Sequence, residues 1–178
     1  CPPLARSLDT FARLARRLGP ERLTWRYDPL LLSDRTDAEH HLRQFGRIAR
    51  ALRGCTRRAV TSFVVPYRKA QSRLAALEKQ GFRMRDRTPE DAAALLPQLA
   101  AAARDNGMTL AACGHEEDFS ALGVGRAACI DPAWLNAALG LDLPAGRDPG
   151  QRAACNCAPS RDIGAYDTRS EEHTSELQ

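Results

Sequence analysis

The residues of this chain best suited to chemistry are its six cysteines, namely Cys1, Cys55, Cys113, Cys129, Cys155 and Cys157. Cys155-Asn156-Cys157 is a C-x-C pair in a segment rich in glycine and proline, and two thiolates this close can chelate one metal ion or cluster. With Cys113 and Cys129 they would form a four-thiolate set suited to an iron–sulfur cluster or to zinc. The spacing matches no standard zinc finger, so separate buried or free thiols are the alternative. Cys1 and Cys55 are expected to be inert.

A second group of candidate residues lies at the ends of the predicted strands or shortly after them. Arg26 and Asp28 could form an ion pair that orients a substrate, Ser62 lies in the next strand, and Glu116 could act as a general acid or base. His115 could replace one thiolate as a metal ligand. Ordinary turn polarity would explain the same residues equally well.

The elements that must position these residues alternate between helix and strand. Apolar spacing predicts helices over residues 7–18, 36–52, 67–80 and 131–139 and another from residue 88, with strands over 22–28, 59–65 and 108–113. Thr36 and Glu39 form a capping-box pattern, Pro29 should end the first strand, and Pro97 should kink or split its helix. This order predicts an α/β fold, a fragment of a (β/α) barrel-like parallel sheet with an irregular cysteine-containing carboxyl-terminal segment. In such a sheet, ligand sites gather beyond the carboxyl ends of the strands.

Composition narrows the class of protein. The chain has 178 residues, of which 43% are hydrophobic and 27% charged, which is typical of a globular domain. It contains neither a run of 18 apolar residues nor a signal peptide at its start, so we expect a cytoplasmic protein without membrane contact. The net charge of +4 comes from scattered arginines with 6% aromatic residues, which argues against nucleic-acid binding. The substrate is not identified by these features.

The chain is expected to be part of a longer protein because it does not begin with methionine. Residues 1–140 are interpreted as a partial α/β barrel-like domain, and residues 141–168 as an irregular Cys-x-Cys segment of the same domain. Residues 169–178 look like translated sequencing adapter, and we expect them to be disordered.

Several stretches of the chain are similar to one bacterial family. They are W-R-Y-D-P at residues 25–29, Ser62-Phe63, Cys113 with Glu116, Cys129-Ile130-Asp131, and residues 150–168 from Gly150-Gln151-Arg152 through the C-x-C pair. On these residues the chain resembles the uncharacterised domain of unknown function 1848 family. The resemblance implies longer members that continue, after the position of Thr168, with a C-x-x-x-C-x-x-C run like that of radical S-adenosylmethionine enzymes.

Two hypotheses about function follow. The first is a fragment of an iron–sulfur-binding enzyme, resembling radical enzymes, with S-adenosylmethionine as a cofactor of the full-length protein. The alternative is a non-catalytic α/β module with a structural zinc bound by the four cysteines. A polar rim containing Arg26, Asp28, Ser62 and Glu116 would favour the enzyme, and an apolar rim would favour the module.

Overall fold

A computed structural model describes residues 2–65, 68–146, 154 and 157–159. Within these ranges the helices are α1 (Leu4–Leu18), α2 (Ala38–Ala51), α3 (Arg68–Lys79), α4 (Pro89–Arg104) and α5 (Pro132–Leu139). The strands are β1 (Thr24–Leu30), β2 (Arg58–Phe63), β3 (Thr109–Ala112) and β4 (Gly125–Arg126). None of the helices described is both long and apolar enough to span a bilayer.

The four strands form one parallel sheet in the order β1-β2-β3-β4. Because neighbouring strands in the sheet are also successive in the chain, each connection must cross over from one end of the sheet to the other. The register places Arg26 of β1 beside Val60 of β2, and Val60 beside Ala111 of β3. The predicted α/β fold with a parallel sheet is confirmed, and a closed barrel in a longer protein stays a prediction.

The two faces of the sheet are covered by different elements. On one face Trp25, Ala59 and Leu110 pack with Phe45 of α2 and Leu99 of α4 in the main hydrophobic core. Burial of each large apolar side chain there contributes about 1.5–3 kcal/mol relative to exposure. On the other face Val60, Ala111 and Ala127 form a smaller buried cluster against which Cys113 packs. Side chains alternate along a strand, so Arg26 shares this second face with Val60.

α5 is joined to the second face by an ion pair. Arg58, the first residue of β2, donates from Nη2 to Asp131 Oδ2 at 2.6 Å, and its guanidinium lies 5.2 Å from the Trp134 ring centroid. Asp131 also caps α5, because its Oδ1 accepts a hydrogen bond from the Trp134 N–H at 3.1 Å. One carboxylate therefore both starts α5 and ties it to the sheet.

Several helix and strand ends differ from the sequence prediction. α1 begins at Leu4 with Pro3 at its N-cap, rather than at Ser7. β1 continues through Pro29 to Leu30, which is possible because β1 is an edge strand and can lack one N–H donor. The Asp28–Pro29 bond is cis. The prediction that Pro29 ends the strand was therefore wrong.

The predicted capping box of α2 was also wrong. Asp37 is the N-cap, and its carboxylate accepts the His40 N–H at 2.8 Å. The Thr36 hydroxyl instead donates to Leu31 O at 2.6 Å. Thr36 therefore belongs to the loop before α2, and its hydroxyl binds a backbone carbonyl of that loop instead of capping the helix.

α4 begins with the Thr88–Pro89 signal that was expected. Thr88 and Asp91 form a reciprocal capping box, and Pro89 occupies the first turn. The helix is not split at Pro97, since it continues to Arg104 with Leu96 and Leu99 fully buried. Core packing of this apolar helix outweighs the hydrogen bond that proline removes.

Candidate functional site

Arg26 is the centre of the contacts at the carboxyl end of the sheet. Its Nε and Nη2 donate to Asp28 Oδ2 at 3.1 and 2.5 Å. Nη2 also lies 3.0 Å from Cys113 Sγ, and Nη1 lies 3.5 Å from Cys129 Sγ. A single guanidinium thus joins residues that are 87 and 103 positions away in the sequence.

Strand geometry explains most of this arrangement. Arg26 and Asp28 are two residues apart on β1, so their side chains leave the strand on the same side. Ser62 occupies the corresponding end of β2, and its hydroxyl lies 3.5 Å from Asp28 Oδ2. Cys113 directly follows β3, and its N–H donates to Thr61 O at 3.0 Å. Three neighbouring strand ends therefore bring four of the predicted residues together.

The charge of Arg26 is secured by its partners. Partial burial lowers the pKa of its guanidinium, but hydrogen bonds to Asp28 and Cys113 outweigh burial and raise the pKa above its usual value. Arg26 is consequently a permanent cation beside two thiols. Its positive charge is in hydrogen-bond contact with the sulfurs of Cys113 and Cys129.

Cys129 links this cation to the carboxyl-terminal segment. Its N–H donates to Cys157 Sγ at 3.1 Å. The two residues that follow are also bonded, since the Ala158 N–H donates to Ile130 O at 3.1 Å. Burial raises the pKa of the Cys129 thiol; the charge of Arg26 opposes this, and interactions with Cys157 and Cys113 add to it. The three described thiols of the predicted set are therefore near neighbours.

The donor set has the right chemistry for a metal but is not arranged around a common point. Cys113, Cys129 and Cys157 supply the soft thiolates that zinc and iron–sulfur clusters take. Within the described ranges, no group of three His, Cys, Asp or Glu side chains is placed to hold a metal ion. Arg26 contacts the sulfurs of Cys113 and Cys129, and the fourth predicted ligand, Cys155, lies outside the described residues.

Two of the predicted residues are placed differently. Glu116 is exposed, and the contact that the structure gives it is through its backbone oxygen, which accepts from Arg126 Nη2 at 3.0 Å. Glu116 is three residues beyond Cys113, so no strand fixes the direction of its side chain. In the described part of the chain, Glu116 does not join the contacts around Arg26.

His115 makes a hydrogen bond and two ring contacts at the carboxyl end of the sheet. Its Nε2 accepts the Phe63 N–H at 2.9 Å, so the proton of the neutral ring is on Nδ1. The ring packs edge-on against Phe63 and Phe119, with centroid distances of 5.8 and 5.7 Å. His115 therefore connects the end of β2 to the loop after β3.

His41 was not among the predicted site residues, and the structure buries it beside Tyr27. The His41 Nε2–H donates to Leu31 O at 3.0 Å, which leaves Nδ1 to accept from the Tyr27 hydroxyl at 3.2 Å. Burial lowers the pKa of His41 and raises the pKa of Tyr27 to about 12. The helical spacing of His41 with Phe45 was the available signal, because it places both on the buried side of α2.

A cavity of about 430 Å³ adjoins Arg26 and Asp28 between α1, β1 and α2. Its walls are mainly apolar, with Leu8 and Phe11 of α1 facing Trp25 of β1. Of the four polar residues expected at the rim of an enzyme, Arg26 and Asp28 line this cavity, whereas Ser62 and Glu116 do not. Its volume is within the range of small-molecule sites.

Comparison with known proteins identifies a family for this chain. The sequence model of a protein family described as Domain of unknown function (DUF1848) matches residues 1–172. This confirms the family resemblance drawn from the residues. No curated protein and no solved structure matched the chain.

Proposed function

The chain belongs to the domain of unknown function 1848 family, and on that premise we propose that it contributes a cysteine-ligated metal centre at the carboxyl end of its parallel sheet. Cys113, Cys129 and Cys157 would hold the metal together with Cys155. The observation that carries the proposal is that the guanidinium of Arg26 contacts the sulfurs of Cys113 and Cys129, while the sulfur of Cys157 accepts a hydrogen bond from the Cys129 N–H.

An iron–sulfur cluster is the first identity that we propose for the metal. The family resemblance supports it, since it implies a further cysteine run beyond the position of Thr168 and, in the longer protein, chemistry with S-adenosylmethionine. Zinc is the second candidate, because four cysteines with no open position are typical of a structural zinc site. An iron–sulfur cluster would supply electron transfer to the site, whereas zinc would stabilise the carboxyl-terminal segment.

The contacts of Arg26 support a thiolate site of either kind. Four thiolates carry more negative charge than zinc or a common iron–sulfur cluster neutralises, and a fixed cation nearby would stabilise the excess. Asp28 holds that cation in place through its Oδ2. Arg26 would have to release part of its present contact with Cys113 and Cys129 for both sulfurs to face a metal.

The cavity beside Arg26 and Asp28 supports an enzyme over a purely structural module. It would admit a small molecule to the ion pair from the α1 side. Arg26 and Asp28 would then bind polar groups of that molecule, and the apolar wall would hold the rest.

The test is a metal analysis of the 178-residue chain purified without oxygen, with iron, sulfide and zinc measured beside the visible spectrum. Cys113→Ser, Cys129→Ser, Cys155→Ser and Cys157→Ser should each lose most of the metal. Cys55→Ser is the matched control, because Cys55 is a half-buried cysteine that packs against the main core. It should keep the wild-type content.

Each result has a distinct meaning. Iron and sulfide in roughly equal amounts, lost in the four variants, would support the cluster. Zinc lost in the same four would support the structural site. Metal retained in all four variants, or lost equally in Cys55→Ser, would contradict a site at these residues, as would a wild-type chain that binds neither metal.

A further inference from the structure

A second cavity, of about 460 Å³, lies at the other edge of the sheet between α4, β3 and α5. It exists because β4 is only two residues long and pairs opposite Ala111 and Ala112. Among the described strands, none flanks Thr109 and Leu110 on this side. The space beside the first half of β3 is consequently open to solvent.

The lining of this cavity carries an excess of positive charge. Arg58, Arg104 and Arg126 contribute three guanidinium groups, and Asp131 contributes one carboxylate. Asp131 is already committed, since Oδ2 pairs with Arg58 at 2.6 Å and Oδ1 caps α5. Arg104 and Arg126 are the two other charged residues of the lining.

The two remaining arginines differ in how much of their charge is compensated. Arg126 donates from Nη2 to Glu116 O at 3.0 Å. Hydrogen bonds from Ser120 and, more weakly, the charge of Arg126 lower the pKa of Asp118, so Asp118 offsets part of that charge. Among the described residues, no side-chain hydrogen bond or ion pair engages Arg104.

Gly123 lies beside the Arg104 guanidinium. A Cβ at residue 123 would lie 3.4 Å from Arg104 Nη1, which is an ordinary van der Waals distance. The backbone there has a positive φ of 76°, and this conformation favours glycine. The Arg104 guanidinium thus lies next to the turn between Ser120–Leu122 and β4.

The rest of the lining is apolar, with Leu110 and Ala111 of β3 opposite Ala133 and Trp134 of α5. A guanidinium group can donate several hydrogen bonds to a phosphate, and Arg126 keeps donors besides the Nη2 that binds Glu116 O. Two such groups suit a doubly charged phosphate better than they suit a singly charged carboxylate. The volume exceeds the needs of an isolated phosphate group and fits a metabolite-sized ligand.

We infer that this cavity binds a small molecule bearing a phosphate group, with the phosphate between Arg104 and Arg126 and an apolar part against Trp134. The site is independent of the cysteine cluster, since it shares none of the residues around Arg26. Arg58 also lines the cavity, and its ion pair with Asp131 keeps α5 in place.

The test uses phenyl phosphate, inorganic phosphate and phenol as probes with the complete 178-residue chain. Binding is followed by tryptophan fluorescence and independently by calorimetry, and Trp134→Phe identifies the reporting ring. Phenyl phosphate should bind more tightly than inorganic phosphate, and phenol should bind least. Arg104→Gln and Arg126→Gln should each weaken phenyl phosphate binding roughly tenfold, as expected for one lost charge-assisted contact.

Arg47→Gln is the matched control, because Arg47 is an exposed arginine of α2 outside the cavity and its replacement removes the same charge. Its affinity should equal that of the wild type. Equal weakening in all three arginine variants would show a general charge effect and overturn the site. Absence of phenyl phosphate binding, or phenol binding as tight as phenyl phosphate, would also overturn it. Arg104→Lys, which keeps the charge but not the bidentate geometry, should lie between the wild type and Arg104→Gln, and circular dichroism verifies the fold of each variant.

Discussion

The ion pair between Arg58 and Asp131 offers the sharpest test of how α5 is held on the sheet. Asp131→Asn removes the negative charge but keeps a side chain that can accept the Trp134 N–H at the helix N-cap. The change therefore isolates the loss of the ion pair from the loss of the cap. It leaves the Arg58 guanidinium without its charged partner in a nearly closed environment.

The expected loss follows from the burial of the pair. The side chains of Arg58 and Asp131 are 7% and 17% exposed, and Arg58 Nη2 lies 2.6 Å from Asp131 Oδ2. Breaking a fully buried pair costs about 3–5 kcal/mol. Because Asp131 keeps some contact with water and Arg58 retains its stacking on Trp134, we expect Asp131→Asn to lower the free energy of unfolding by about 2–3 kcal/mol. For a chain of this size, that corresponds to a decrease in Tm of about 4–12 °C.

The assay is denaturant and thermal unfolding of the wild type, Asp131→Asn and the control Glu39→Gln. Glu39 pairs with Arg43 on the surface of α2, where the side chains are 75% and 58% exposed, so its replacement should change stability by no more than about 0.5 kcal/mol. The double variant Arg58→Met with Asp131→Asn should regain much of the loss, since no unpaired charge is then buried. Equal stability of Asp131→Asn and Glu39→Gln would refute the reasoning.

Three further expectations concern other parts of the fold. Thr88→Ala removes the side-chain acceptor of the α4 capping box and should lower the unfolding free energy by about 1 kcal/mol in chemical denaturation, whereas Thr88→Ser should not. Burial lowers the pKa of His41 from 6.5, so His41 takes up a proton at higher pH in the unfolded chain than in the folded one. The stability contributed by neutral His41 should therefore be present above about pH 6.5 and be lost as the pH falls through the folded pKa. This pH dependence should shrink in His41→Asn, and an unchanged profile would contradict it. Gly123→Ala should destabilise the chain by about 1 kcal/mol, because φ is 76° there and Arg104 is close, while Gly46→Ala within α2 should not.

The order of helices and strands could be predicted because local signals and tertiary packing agree over most of the chain. Thr88 and Pro89 start α4 as expected, and the β-branched run around Val60 is a buried strand. β4 was missed because two residues, Gly125 and Arg126, are too few to show any periodicity. Pro29 misled the prediction because the sequence does not show that β1 is an edge strand.

In the candidate site, residues on strands could be placed from the sequence, and residues in loops could not. The parallel register brings together Arg26, Asp28, Ser62 and Cys113, which lie on strands or directly after one. Glu116 lies farther into a loop, and sequence gave no basis for the direction of its side chain. Cys155 falls outside the described residues, so its place in the set stays a prediction.

What local sequence could not show is that Arg26 contacts the sulfurs themselves. The pattern of cysteines suggests metal ligands, yet the structure gives Cys113 and Cys129 a common cationic partner. A metal and the guanidinium would compete for the same sulfur lone pairs, while the positive charge would also stabilise a thiolate-rich centre. Since Asp28 Oδ2 accepts from both Nε and Nη2 of Arg26, it can hold the guanidinium after Nη1 and Nη2 release the sulfurs. The Arg26–Asp28 pair could therefore remain beside a thiolate-rich centre and stabilise its negative charge.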